Sequence, residues 1–267
     1  MAKVLALTDL HLTADGARII GLDPWDRFEA VLVRALADHP DADCLVLMGD
    51  LAHRGEAAVY RRLAARLARV PIPVIPMLGN HDRREAFRAS IPGMPLADGF
   101  VQTARDTGPA RLLALDTLDG PPYAGAAGRL CATRLAWLDR ELAGAAGRQV
   151  VLFLHHPPFA VGLPGMDRIA LADPEALLSR LRAHGRTHLV AGHIHRTISG
   201  SAGGVPWTVL KSPCHQAPLD LVTPDSTLSI DEPGAYGLLL LTAGGIAIHS
   251  EDATLPRPDR GHDKASA

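Results

Sequence analysis

The chain of 267 residues carries 27 Lys and Arg against 29 Asp and Glu, a formal net charge of −2, so it lacks the basic excess from which nucleic-acid-binding proteins draw affinity. Its length suits one large α/β domain better than two small ones. Three scattered cysteines and no CxxC pair argue against a disulfide framework and fit a reducing compartment. The N-terminus runs straight into "KVLALTDLHL", and no apolar run is long enough to span a bilayer, so the expectation is a soluble cytoplasmic protein.

In chain order, short apolar runs alternate with helical patterns: "KVLALT" then "WDRFEAVLVRALADH", "CLVLMG" then "EAAVYRRLAARLARV", "IPVIPML" then "DRREAFRAS". This is the βαβαβ pattern of a parallel core sheet. Pro24 lies where the first helix begins, and Phe28, Val31, Leu32 and Ala35 make one apolar stripe along it. Residues 99–116 read as a hairpin turning at Thr107, Gly108 and Pro109. A helix around "TRLAWLDRELAGA" leads to the strand "QVVLFLHH", and "PEALLSRLRAHG" with "THLVAGHIH" repeats the unit. The pieces "GGVPWTVLKSP" and "YGLLLLTAGGIAIHS" then suggest antiparallel strands closing the sheet system. No linker marks a boundary within residues 1–252, which read as one domain, and residues 253–267 read as a disordered tail. Cys44, Cys131 and Cys214 are expected to be small buried hydrophobes.

Metal-capable side chains stand at the C-terminal end of each core strand. "TDLH" supplies Asp9 and His11, "MGD" supplies Asp50, "LGNHD" supplies Asn80, His81 and Asp82, "LHHPP" supplies His155 and His156, and "AGHIH" supplies His193 and His195. In an extended segment residues two apart share a face, so His193 and His195 would converge, and Gly192 before them permits a close approach. Singly, each motif has a structural explanation as a turn, a helix cap or a solvated histidine, and Asp82 could cap the following helix. Together they place carboxylates, imidazoles and one amide in the crevice where open α/β sheets bind ligands. That donor set, without thiolate, suits Mn, Fe, Co or Zn. Seven candidate ligands, Asp9, His11, Asp50, Asn80, His155, His193 and His195, exceed the need of one tetrahedral ion. A carboxylate bridging two ions about 3.5 to 4 Å apart would grip a phosphoryl group.

The order DxH, GD, GNHD, His, GHxH resembles that of the calcineurin-like metallophosphoesterases across residues 9–195. Within that family, "GNHD" and "HHPP" are similar to the bacterial class III cyclic nucleotide phosphodiesterases and the related glycerophosphodiesterases. The resemblance implies a four-layer α/β/β/α sandwich of two mixed β-sheets flanked by helices, and two divalent metal ions. By motif, one ion would take Asp9, His11 and His195, the other Asn80, His155 and His193, with Asp50 bridging. His81 would assist the leaving oxygen, and Asn80 and His81 would also meet the substrate. His215, in "KSPCHQAP", would donate to a phosphate oxygen beside them. His156 matches no ligand position and is open to a supporting or a solvated role.

The loop at residues 162–171, "GLPGMDRIAL", could cover the site with Met166 or Asp167 near the substrate, or be an ordinary surface loop. The expected activity is a metal-dependent phosphodiesterase acting on small phosphodiesters, 3′,5′-cyclic nucleotides first. The rivals are a glycerophosphodiesterase, a broad-specificity phosphodiesterase or phosphomonoesterase, and a catalytically silent interaction module of the same fold. No nucleic-acid polymer or membrane is expected as partner, and a homo-oligomer is compatible with the sequence.

Overall fold

Runs such as "VVLFL" are apolar at every position because each sheet of this protein is covered on both faces. A computed structural model describes residues 1–14, 16–94, 96–119 and 125–256. The first half runs β1 (Ala2–Leu7), α1 (Pro24–Asp38), β2 (Cys44–Met48), α2 (Ala57–Leu67), β3 (Val74–Met77) and α3 (Arg84–Ser90). The hairpin β4 (Thr103–Thr107) and β5 (Ala110–Leu115) follows, then α4 (Ala132–Gly144), β6 (Gln149–Leu154), the single turn α5 (Pro164–Asp167), α6 (Glu175–His184) and β7 (Thr187–Ala191). The chain closes with β8 (Ile198–Ala202), β9 (Val205–Val209), β10 (Ala235–Thr242) and β11 (Gly245–Asp252).

Two mixed sheets result, one in the order β11-β10-β1-β2-β3 and one in the order β4-β5-β6-β7-β9-β8. Alternation along each strand divides its side chains between two cores. Val4, Ala6, Val46 and Met48 face Leu112, Val151, Phe153 and Val190 across the middle of the sandwich. Leu5, Leu7, Leu45 and Leu47 point outward into a core shared with Phe28 of α1, Tyr60 of α2 and Phe87 of α3. On the other side Val150, Leu152 and Leu154 meet Trp137 and Leu138 of α4 and Leu177 and Leu181 of α6. The layers are therefore α/β/β/α, as the resemblance implied. The periodicity alone suggested one parallel sheet, and the β4–β5 hairpin is where the chain leaves the first sheet to start the second.

Local signals set the elements. Asp23 caps α1 by accepting from the amides of Trp25 and Asp26, Pro24 occupies its first turn, and the expected stripe of Phe28, Val31, Leu32 and Ala35 is buried. The closing strands pair antiparallel in β8–β9 and β10–β11, yet β9 lies parallel to β7. The chain leaves β7, lays down β8 at the sheet edge and turns back, which brings β9 beside β7.

Cys44 and Cys214 are buried as expected, whereas Cys131 is partly exposed at the N-cap of α4. Ala253, assigned from the sequence to the tail, is buried in the first outer core; residues 257–267 of that tail lie outside the described residues. Among the described residues no helix is long and apolar enough to cross a membrane.

Phe153 is fully buried between the sheets, whereas Val33 of α1 is exposed. Phe153→Ala should cost about 3–5 kcal/mol and Val33→Ala less than about 0.5 kcal/mol, read from urea unfolding midpoints at constant m-value. Similar small losses in both would show that the middle core does not hold the sheets together.

Candidate metal centre

The loops after β1, β2, β3, β6 and β7 meet where the sheets adjoin. They deliver Asp9 and His11, Asp50, Asn80 and His81, His155, and His193 and His195 to one cluster, nearly all of it buried. Backbone bonds tie the loops together: the Asp9 amide donates to the Gly49 carbonyl at 3.0 Å, the His11 amide to the Asp50 carbonyl at 2.8 Å, and the His193 amide to the Asp9 carboxylate at 2.9 Å.

Among the described residues, five of the eight non-glycine positions with positive φ are Asp9, His11, Asp50, His193 and His195. A left-handed backbone costs such residues roughly 1 kcal/mol or more each, so the chain accepts strain in order to aim these side chains inward. This corrects the reason given for the His193 and His195 pairing. They do not share a face of an extended strand; their φ values are 71° and 54°, and the turned backbone brings them together. Two glycines make room. A Cβ on Gly79 would stand 2.3 Å from Asp50 Oδ1 and 2.6 Å from His155 Nε2, and one on Gly192 would stand 2.0 Å from Thr8 Oγ1.

The Oδ2 atom of Asp50 lies 3.5 Å from His11 Nε2 and 3.4 Å from His155 Nε2. His155 Nε2 is also 3.1 Å from Asn80 Oδ1, and His195 Nε2 is 3.3 Å from Asp9 Oδ1 and 2.9 Å from His11 Nε2. The outer ring nitrogens are held by backbone. His155 Nδ1 donates to the Met48 carbonyl at 3.0 Å, His195 Nδ1 to the His215 carbonyl at 2.8 Å, and His193 Nε2 to the Ile169 carbonyl at 3.0 Å. That is the outer bonding by which metal-binding histidines are oriented. Among the described residues His193 Nδ1 has no partner; it is buried, faces the cluster's other imidazoles, and is the nitrogen a cation would engage. These residues fit divalent cations with oxygen and imidazole preference.

Without a cation, protons balance the charge. Burial alone would raise the Asp50 carboxyl, but His155, His81 and His11 hold it well below the ordinary carboxylate value. Burial is likewise outweighed at Asp9, lowered by His195 and His155. Burial opposes charging of His155, yet Asp50 and Asp9 raise it to about 9, and Asp9 raises His195 against the same opposition. Burial, reinforced by His155, pushes His193 down to about 3. A bound cation would take over the charge that these protons supply.

His81 is placed differently from the cluster. Its amide donates to Asp50 Oδ1 at 2.8 Å and its Nδ1 donates to the His53 carbonyl at 2.8 Å, leaving Nε2 for the cleft. With Nδ1 protonated, Nε2 can give up a proton only from the imidazolium form. Asp82 neither starts α3, whose N-cap is Arg83, nor needs His81 as its partner. Its carboxylate accepts from the amides of Gly79, Leu51 and Ala52 and from the Tyr60 hydroxyl, all within 3.1 Å, and so binds the "GD" loop to the "GNHD" loop.

The remaining residues are distributed as follows. His156 is fully buried, with Nδ1 at 2.8 Å from Thr117 Oγ1, so the solvated alternative does not hold. His215 lines the cleft, and burial followed by His195 pushes it down to about 3, which favours the neutral imidazole. The Asp167 carboxylate accepts from the amides of Val161 and Gly162 and stays within its own loop; Met166 and Ile169 are the residues of that loop that line the cleft. The sequence reading passed over His53, whose Nδ1 is 3.2 Å from His11 Nδ1 and whose ring stacks on His81 at 5.1 Å. Its position three residues after Asp50 was the available signal.

The cluster opens into a cavity of about 430 Å³, a common size for small-molecule sites. A neighbouring depression shares His53, Asn80 and His81 with it and adds Arg54 and Arg83. Two arginines thus stand beside the cavity in a chain whose net charge is −2, and they favour an anionic ligand.

A model of the calcineurin-like phosphoesterases matches residues 2–197. The chain belongs to that family. It is therefore a metal-dependent phosphoesterase, and divalent ions are its cofactors. It is 43% identical over 254 residues to a "probable cyclic nucleotide phosphodiesterase" of Rhodopseudomonas palustris, covering 92% of this chain and 91% of that one. It is 31% identical to the 3′,5′-cyclic adenosine monophosphate phosphodiesterase CpdA of Pseudomonas aeruginosa, covering 89% and 85%. The crystal structure of a dimetal phosphatase from Danio rerio shares the fold with a TM-score of 0.67 at 17% identity, over 93% of this chain and 95% of that one.

Because Gly79 has no room for a side chain, Gly79→Ala should displace Asp50 or His155. We expect bound metal to fall well below the wild-type content and activity to fall by about 10²-fold or more, while circular dichroism still reports a folded protein. Full metal content in this variant would show that the close approach at Gly79 is not needed.

Proposed function

We propose that this phosphoesterase hydrolyses 3′,5′-cyclic nucleotides at a centre of two divalent ions. Asp9, His11 and His195 would hold one ion and Asn80, His155 and His193 the other, with Asp50 shared between the two sets. The observation that carries the reading is the position of Asp50 Oδ2, almost equidistant from His11 Nε2 and His155 Nε2, one histidine of each set. The names of two relatives that align over nearly the whole chain support the choice of substrate. The oxygen and imidazole donors favour Mn, Fe, Co or Zn, and three free cysteines suit a reducing, cytoplasmic setting.

When bound, the ions supply a nucleophile at neutral pH and withdraw charge from the phosphoryl oxygens. The protein's own groups do the rest. Asn80, and His215 through one neutral N–H, would orient the phosphate. His81, with Nδ1 fixed on the His53 carbonyl, delivers the Nε2 proton to the departing ribose oxygen. Arg54 and Arg83 line the adjoining depression and draw the anion in.

The test is metal analysis of the purified protein together with a panel of cAMP, glycerophosphodiesters, ethyl p-nitrophenyl phosphate and p-nitrophenyl phosphate at fixed Mn. We expect about two equivalents of metal, loss of activity on chelation, and cAMP turned over with the highest kcat/KM. A faster monoester or glycerophosphodiester would overturn the choice of substrate, and a single equivalent in the fully active enzyme would overturn the dinuclear centre.

Proton delivery by His81 makes a separate prediction. His81→Ala should keep its metal and lose about 10² to 10⁴-fold on cAMP, whose leaving group is a poor one, but distinctly less on ethyl p-nitrophenyl phosphate. Equal losses on both would assign His81 to positioning, and loss of metal would make it part of the metal-holding shell.

A further inference from the structure

At the rim of the cavity the chain breaks a local rule. Ile19 and Leu22 exchange backbone bonds, Ile19 N to Leu22 O at 3.0 Å and Leu22 N to Ile19 O at 2.8 Å, so Ile20 and Gly21 form a two-residue hairpin turn. Both central residues have positive φ, 46° and 85°, the signature of a type I′ turn. Such turns take Asn, Asp or Gly at the first central position, because a left-handed backbone presses Cβ against the following carbonyl. A β-branched side chain is among the worst choices there.

The fold does not explain the choice, since Ile20 is 49% exposed and belongs to none of the three apolar cores. A large apolar residue kept both strained and half in solvent is a feature of ligand-contacting segments. Ile20 lines the same cavity as the metal cluster, as does its neighbour Ile19. Met166, Ile169 and Leu228 are further apolar lining residues, and Ser229 adds a hydroxyl. An anionic group drawn to the metal end therefore shares the cavity with an apolar wall, the chemistry that receives a flat, hydrophobic, hydrogen-bonding ring attached to a phosphate.

We propose that Ile20 is held in this strained turn to form an apolar face against the nucleobase of the substrate, and so sets the preference for nucleotides over simple phosphodiesters. The inference rests on the cyclic-nucleotide reading above. It makes Ile20 a specificity-determining residue whose chemical role is lost when the turn is given its preferred residue.

The experiment is Ile20→Asn in the full chain, with three readouts against wild type. Relieving the turn should raise Tm by about 2 to 4 °C. The ratio of kcat/KM for cAMP to kcat/KM for ethyl p-nitrophenyl phosphate, which has no base, should fall about tenfold. The Ki of adenosine as a competitive inhibitor of ethyl p-nitrophenyl phosphate hydrolysis should rise by a similar factor. A higher Tm with both the ratio and the adenosine Ki unchanged would overturn the proposal and leave Ile20 as a turn residue without a binding role. A lower Tm with unchanged adenosine inhibition would overturn it too, since the side chain would then serve packing. Wild type inactive on cAMP would defeat the cyclic-nucleotide reading alone, because the adenosine Ki still reports whether Ile20 meets a base.

Discussion

Two carboxylates, Asp9 and Asp50, lie inside the protein with essentially no exposure to water. An ionised carboxylate taken out of water costs several kcal/mol unless it is paired and hydrogen-bonded. Most of the site can be understood as the answer to that constraint. His11, His155 and His195 bring imidazole nitrogens to within 3.5 Å of one carboxylate or the other, and the amides of His81 and His193 donate to them. The carboxylates in turn raise His155 and His195, so binding of divalent cations would displace the protons these imidazoles hold.

Holding five loop ends at one point needs a frame. The middle core pins the sheets face to face, and Asp82 collects three amides and the Tyr60 hydroxyl so that the loops after β2 and β3 move as one piece. The left-handed backbones of Asp9, His11, Asp50, His193 and His195 are sustained by this frame. Such strain persists only where the surroundings over-determine the geometry. The outer bonds from His155, His193 and His195 to the carbonyls of Met48, Ile169 and His215 add a further layer, and each comes from a different part of the chain. Ile169 has two duties, since its carbonyl orients His193 and its residue lines the cavity, so the wall of the cleft and the metal centre are mechanically linked.

The cleft itself divides by chemistry. It is lined both by the imidazoles of the cluster and by Ile20, Met166 and Leu228, with Arg54 and Arg83 in the adjoining depression. The two arginines and the apolar lining are different selectivity devices. The first favours phosphate esters in general, and the second separates one alcohol portion from another.

The sequence by itself determined the strand and helix order, the α1 stripe, and the residues gathered at the strand ends, because hydrophobic period and turn residues are local properties. The motif order also carried the family, since the ligand types must follow successive strands. Only the tertiary structure decided what depends on distant pairs. It divided the strands between two sheets, set β9 parallel to β7, and turned His193 and His195 together by left-handed backbone instead of strand alternation. It buried His156, kept the Asp167 carboxylate within its own loop, gave Asp82 its four donors, and brought His53 against His11 and His81. Most of these depend on partners far along the chain, such as Thr117 for His156 and His11 for His53, and periodicity carries no information about which loops will face one another across a sandwich.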